Sequence, residues 1–409
     1  MDAALNPFAP GAGTQPPELT GRTDNLEHAR VTLERIKNGR FSRSSLLVGF
    51  RGVGKTVLLN RIKKMAEGIG YYSVFIESPE ATPVAKLLAP YLRQILLQID
   101  LVEGAKEKMR KALGALRAFA STFKLEIGDI GVGVTAASGT ADSGHLEKDL
   151  TDLLVSIGEA AQESSTAVAI FIDELQYVEH KELGALIAGI HRIGQLNLPF
   201  VLFGAGLPQL AGLTGKAKTY AERLFEFQEI GPLKDTDARA AIKGPIERTG
   251  ASIDEDALLK LVKSTEGYPY FLQEWGLHAW NHAQTSRITI KDVQEAERAA
   301  IIVLDQSFFR VRFDRLTKGE KEYLRAMADL GSGPHYRSGD IATRLGRSVD
   351  RVAPTRANAI AKGMIYSPSY GDNAFTVPKF DEYMRRVIPN FSPNMSMNKS
   401  RRRGRKKHG

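Results

Sequence analysis

The chain has 409 residues, 43% hydrophobic and 25% charged, with no cysteine and eight scattered histidines. That length calls for two or three domains, since single cores stop growing near ~250–300 residues. The absence of cysteine excludes disulfides and thiolate metal sites and fits a cytoplasmic protein. The net charge is +9, but seven of the basic residues lie beyond Asn390, where there is no acid. The body is nearly neutral, and the basic character belongs to a tail.

No apolar run approaches the ~18 residues needed to cross a bilayer, so no membrane association is expected. Residues 1–18 are rich in Pro, Gly and Ala and lack a basic region followed by an apolar core. They read as a flexible arm and not as a secretory signal. A first helix is predicted over 24–38, where Asp24 and Glu27 have capping-box spacing and Leu26, Ala29, Leu33 and Ile36 share a face. A short buried strand over 45–48 runs into a glycine-rich loop, and a helix from Val57 to about 68 follows. A strand over 72–76 and a helix over 82–99 come next.

Between 119 and 144 the rhythm changes. Phe123, Leu125 and Ile127 alternate, Gly128-Asp129 turns, and Ile130, Val132 and Val134 alternate again, which reads as a β-hairpin insertion. A helix over 145–162, an apolar strand over 168–172, a helix over 181–194 and an apolar strand over 200–203 return to the earlier pattern. Strands that are apolar throughout and alternate with helices argue for a parallel sheet covered on both faces. From about Pro232 the pattern is helical, over 235–248, 254–264, 269–282 and 290–300.

Two segments carry chemistry. Gly49-Phe50-Arg51-Gly52-Val53-Gly54-Lys55-Thr56 matches G-x-x-x-x-G-K-[ST] between a strand and a helix. Glycines there let backbone N–H groups turn inward around phosphates, the helix N-terminus adds partial positive charge, and Lys55 reaches the β/γ-phosphates. The Thr56 hydroxyl is expected to ligate Mg²⁺. The second segment is the strand before Asp173-Glu174. Asp173 is expected to hold or orient the Mg²⁺ sphere and Glu174 to polarise a water for attack on the γ-phosphate of ATP. The less specific alternatives are a chance Gly-rich turn and two solvated acids at a strand end.

Together these residues resemble the AAA+ and related signal-transduction (STAND) P-loop ATPases, in the branch of origin-recognition-type initiators and archaeal ATPases. The resemblance covers about 19–377. Leu19-Thr20-Gly21-Arg22 with Leu26 is similar to the box that folds over adenine. Phe200–Pro208 resembles the strand that ends in a first sensor. Tyr220 to Phe225 resembles the segment bearing an arginine finger, which implies that Arg223 acts on a neighbour's nucleotide in a homo-oligomer. A surface ion pair with Glu222 or Glu226 is the alternative. Gly267-Tyr268-Pro269 resembles the G-x-P motif of a helical lid. The sequence departs from the pattern twice. Gly204, Ala205 and Gly206 stand where a polar first sensor is usual, and Tyr270 stands where motors place a lid arginine. Both departures point to a slow, switch-like ATPase.

Residues 317–383 read as a winged helix-turn-helix. Thr317 and Glu320 form a capping box, short helices follow, and strands over 364–367 and 374–377 flank a wing at 370–373. Arg347, Arg351, Arg356 and Asn358 lie on or near the third helix, where major-groove contact is made. Such a module also serves as a protein-docking domain. The tail, with Arg401, Arg402 and Arg403, would bind the phosphate backbone of double-stranded DNA without reading sequence, or simply keep the chain soluble.

The expected architecture is therefore α/β. It comprises an arm (1–18), a RecA-like P-loop domain (19–230), a helical lid (231–310), a winged helix (311–388) and a disordered basic tail (389–409). Two functions compete: a DNA-associated ATPase, and an ATP/ADP signalling switch whose winged helix docks a protein.

Overall fold

A computed structural model describes every residue except 12, 80–81, 104–106, 129–134, 332, 334 and 393–409. The chain divides into two compact units. The larger holds 4–253 and 267–277, and the other holds 1–3, 254–266 and the chain from 278 onward. The expected lid is thus shared between them.

In the larger unit five parallel strands form one sheet: β1 (Ser44–Val48), β2 (Tyr71–Glu77), β3 (Ala167–Asp173), β4 (Phe200–Gly206) and β5 (Phe225–Glu229). Their order is β2-β3-β4-β1-β5. Every residue of β1, β3 and β4 is buried, which is why these strands read as unbroken apolar runs. Phe171 and Phe203, opposite one another in the β3–β4 register, stack with centroids 5.3 Å apart.

Parallel strands need crossovers, and helices supply them. After α1 (Thr23–Lys37), which precedes the first strand, these are α2 (Lys55–Gly68), α3 (Val84–Glu103), α4 (Glu107–Thr122), α5 (Leu146–Glu163) and α6 (His180–Gln195). Then come α7 (Leu210–Ala217), α8 (Ala221–Leu224) and α9 (Asp235–Arg248). Leu88, Leu92 and Ile95 of α3, Leu116 of α4 and Leu150, Leu153 and Ile157 of α5 join one buried cluster with the sheet residues Val74, Ile76 and Ile172. Because the strands are parallel, the ends of β1 and β3 open at the same edge, with β4 between them. Ligands bind at such an edge.

Three expectations change in this unit. Residues 119–122 belong to α4, and the chain then turns at Lys124 (φ 53°) with no strand over 125–128. Phe119 and Phe123 are one helical turn apart and their rings meet at 4.7 Å, so the apolar spacing read as period two begins as a helix end. Ile130, Val132 and Val134 lie outside the described residues. The strand β5 was not foreseen, although Phe225 and Phe227 alternate with polar residues along it. The N-terminal arm is docked over part of its length. Phe8 is 3% exposed, and the Asn6 amide donates to the Leu277 carbonyl at 3.0 Å. Gly276 makes room for the ring: a Cβ there would stand 2.7 Å from it.

The other unit contains the helices Glu255–Thr265, Ile290–Gln306 and Phe308–Asp314. Beyond them the order is helix Lys318–Asp329, strand Tyr336–Arg337, helices Ser338–Arg344 and Val349–Ala361, strands Ile365–Tyr366 and Asp372–Phe375, and helix Phe380–Val387. The strand Asp372–Phe375 is central and antiparallel to both others. The capping box at Thr317 is present: Thr317 N–H donates to Glu320 Oε2 at 2.8 Å, and Glu320 N–H to Thr317 Oγ1 at 3.4 Å. Pro354 lies inside its helix and not in the first turn. The last strand starts two residues earlier than expected, so Asp372 and Asn373 pair in the sheet. Tyr370 is left fully exposed at the turn. Phe309, Phe380 and Tyr383 pack together with centroids 5.3–5.8 Å apart.

Candidate nucleotide site

The loop joining β1 to α2 places Gly52 and Gly54 at φ 88° and 94°, conformations that side-chain-bearing residues rarely adopt. Gly54 is the N-cap of α2, and Lys55 opens the helix. The Lys55 side chain is buried, and its Nζ donates to the Gly49 carbonyl at 2.8 Å and the Phe50 carbonyl at 2.9 Å. Burial pushes the ammonium down to about 8, against the pull of the Glu174 and Asp173 carboxylates.

The end of β3 meets the start of α2. Thr56 Oγ1 donates to Asp173 Oδ2 at 2.5 Å, and Asp173 Oδ1 accepts from the Glu174 N–H at 2.8 Å. Asp173 is 3% exposed, and burial raises its carboxyl despite these two bonds. A hydroxyl and a buried carboxylate side by side are hard oxygen donors of the kind Mg²⁺ prefers, so the residues fit that ion. Glu174, one residue on, adopts a left-handed backbone (φ 55°), and its carboxylate lies 3.9 Å from the Arg51 guanidinium. The Gly49–Thr56 loop, the Thr56–Asp173 oxygen pair and Glu174 therefore come together at one sheet edge.

The matches to known proteins follow this division of the chain. Residues 18–203 match the AAA ATPase domain family, and residues 306–384 match a family described only as a domain of unknown function. Residues 18–203 are an AAA ATPase domain. No curated protein matches the chain. Among solved structures, the Walker-type ATPase PABY2304 of Pyrococcus abyssi is similar at a TM-score of 0.58 and 15% identity, over 93% of this chain and 99% of that one. It shares the fold. Looser likenesses are Cdc6p of Pyrobaculum aerophilum (TM-score 0.43, 13% identity, 95% and 98% covered) and Aeropyrum pernix ORC1 in complex with DNA (0.41, 16%, 90% and 93%).

Other expected site residues fall in three groups. Arg22 of the AAA ATPase domain is 8% exposed, and its guanidinium donates to the Val53 carbonyl at 3.2 Å and the Gly231 carbonyl at 2.6 Å. It braces the back of the loop, and burial lowers its pKa from the ordinary arginine value. Pro269 starts the helix Pro269–His282. On either side of it the Tyr268 hydroxyl donates to the Arg51 carbonyl, and the Tyr270 N–H to the Gly52 carbonyl at 3.2 Å. Phe50, Val53 and Val57 lie in the loop and the first turn of α2.

Arg223 stands apart from this cluster, exposed in the four-residue α8. It makes no ion pair among the described residues, and Glu226 pairs instead with His28 at 2.8 Å. Of the residues expected at DNA, Arg347 pairs with Glu322 at 3.0 Å. Arg356 donates to Asn373 Oδ1 at 2.6 Å and to Ser367 Oγ at 2.8 Å, tying its helix to the hairpin. That role leaves it little freedom to contact DNA. Arg351 and Asn358 are exposed, while Arg401, Arg402 and Arg403 lie outside the described residues. Sequence reasoning missed Gln176 and Tyr177, which follow the acid pair in a short turn and reach Glu174 and Arg51.

Proposed function

We propose that this protein binds ATP with Mg²⁺, hydrolyses it slowly, and works on double-stranded DNA as a homo-oligomer. The observation that carries the enzymatic part is the junction of Thr56, Asp173 and Glu174 beside the loop holding Lys55. Lys55 and the loop N–H groups would bind and orient the β- and γ-phosphates. Thr56 and Asp173 would hold Mg²⁺, which when bound neutralises charge on the phosphate oxygens. Glu174 takes the proton of a water as its oxygen bonds to the γ-phosphorus and the bond to the leaving ADP oxygen breaks. The bare strand end at Gly204 to Gly206 and Tyr270 on the lid segment leave few charges facing the γ-phosphate, which favours slow turnover.

For the C-terminal region we read the order helix, strand, two helices and two antiparallel strands as a winged helix. Arg351, Asn358 and the basic tail supply the groups that would face a duplex. The test is the ATPase rate of the full chain with and without duplex DNA, together with binding measured against salt. Removing residues 391–409 should weaken binding for all sequences alike. It should also flatten the salt dependence by about 0.9 in log K per log salt for each phosphate that the shortened chain leaves unbound. No binding and no change in rate would overturn the DNA part and leave a docking module. The compartment is taken as cytoplasmic, and no described helix is long and apolar enough to cross a membrane.

A further inference from the structure

The acid at the end of β3 is held by a side chain that the hydrolytic step does not use. Gln176 lies in the short turn Leu175–Tyr177 directly after Glu174. Its Oε1 accepts the Leu207 N–H at 3.0 Å, just beyond the end of β4. An N–H can only donate, so this bond fixes which end of the amide faces β4. The other end, Nε2, is thereby turned to Glu174 and donates to its Oε2.

The strand end is shaped for this arrangement. A Cβ on Gly206 would stand 2.7 Å from Gln176 Oε1, and one on Gly204 would stand 2.3 Å from the Leu175 side chain. Leu175 is 1% exposed, so it anchors the turn while the neighbouring Gln176 reaches across. A side chain at 206 and the amide of Gln176 compete for the same space, and here the amide occupies it. The Arg51 guanidinium lies 3.9 Å from the same Oε2 and donates to the Tyr177 hydroxyl at 2.5 Å. One carboxylate oxygen thus faces both an amide and a guanidinium, the first held by the Leu207 N–H and the second by the Tyr177 hydroxyl.

We propose that Gln176 is a positioning residue for Glu174, supplying from the turn after β3 the polar group that the end of β4 lacks. It holds the carboxylate against rotation, so that one oxygen stays aimed at the water and the other is occupied. This rests on the reading of Glu174 as the base. Misplacement of a catalytic group by about 1 Å can cost on the order of 10²-fold in rate. The bond should therefore register in kcat and not in nucleotide affinity.

The experiment is single-turnover ATP hydrolysis and ATP binding by the full chain, with Gln176→Leu and Gln176→Glu made alone and in a Glu174→Gln background. Gln176→Leu keeps the size and removes the donor. Gln176→Glu keeps the shape and sets a like charge against Glu174. Both single variants should bind ATP as wild type does and lose roughly 10–10²-fold in turnover. In the Glu174→Gln background neither should cost anything further, since the group they position is gone. Turnover within about twofold of wild type for both variants would overturn the proposal. So would a loss that repeats in full on top of Glu174→Gln, which marks a structural role. If Glu174→Gln alone turned over at the wild-type rate, the base assignment itself would fail first.

Discussion

At the residue scale, the groups that identify the site are those whose chemistry needs neighbours in sequence. The loop from Gly49 to Thr56 and the pair Asp173-Glu174 could be read directly, because a strand, a turn and a helix start must be contiguous to make them. The contacts of Arg22 could not be read, since its partners are carbonyls of Val53 and Gly231, far apart in the chain. Gln176 could not be read as a partner of Glu174, because its orientation is set by Leu207 beyond another strand. Glu274 carries no sequence signal at all. It is 3% exposed, its Oε2 has no hydrogen-bond partner among the described residues, and burial holds its carboxyl up at about 7. In the unfolded chain the same group has the ordinary value of 4.5. The buried group is thus best tolerated below the unfolded value, and that stability is lost as pH rises through about 7. Stability should fall between about pH 4.5 and 7 by up to about 3 kcal/mol from this residue, followed by denaturant unfolding, and Glu274→Gln should flatten the slope. An unchanged slope in the variant would remove Glu274 as its cause.

At the scale of elements, the parallel strands and their helices were legible because burial on both faces leaves uninterrupted apolar runs. Beyond the sheet, pattern alone was insufficient. Alternation over 123–127 had the spacing of a strand, yet Phe119 and Phe123 sit one turn apart at the end of α4. The edge strand β5 is only half-buried, so its signal was weak. Composition made residues 1–18 an arm, whereas a single aromatic decides where part of it lies. Phe8 packs on Gly276, and the Ala9 N–H donates to Gln273 Oε1 at 3.4 Å. Phe8→Ala should lower stability by roughly 3–5 kcal/mol. It should also open the N-terminal segment to protease, measured by denaturant unfolding and limited digestion. Wild-type resistance in that variant would mean that the ring is not what docks the segment.

At the scale of the whole molecule, the candidate site holds one buried lysine, Lys55, beside the Thr56–Asp173 pair, and Arg223 is exposed with no ion pair among the described residues. An added guanidinium at a phosphoryl transition state can raise the rate roughly 10³–10⁵-fold. If a second copy supplies it, specific activity should rise with protein concentration, and Arg223→Ala should bind ATP but lose turnover. Mixing Arg223→Ala with Lys55→Ala should then recover activity, because one interface in the mixture combines an intact site with an intact arginine. No recovery from two folded, assembling variants would assign Arg223 to the surface.

Everything else depends on the division of labour between the loop and the acid at the end of β3. The most direct measurement is ATP binding and hydrolysis by the full chain beside Lys55→Ala and Glu174→Gln. Lys55→Ala should lose binding, and Glu174→Gln should bind as tightly as wild type while turnover falls to a small residual rate. Wild-type hydrolysis by Glu174→Gln, or undiminished ATP binding by Lys55→Ala, would contradict this assignment of the site.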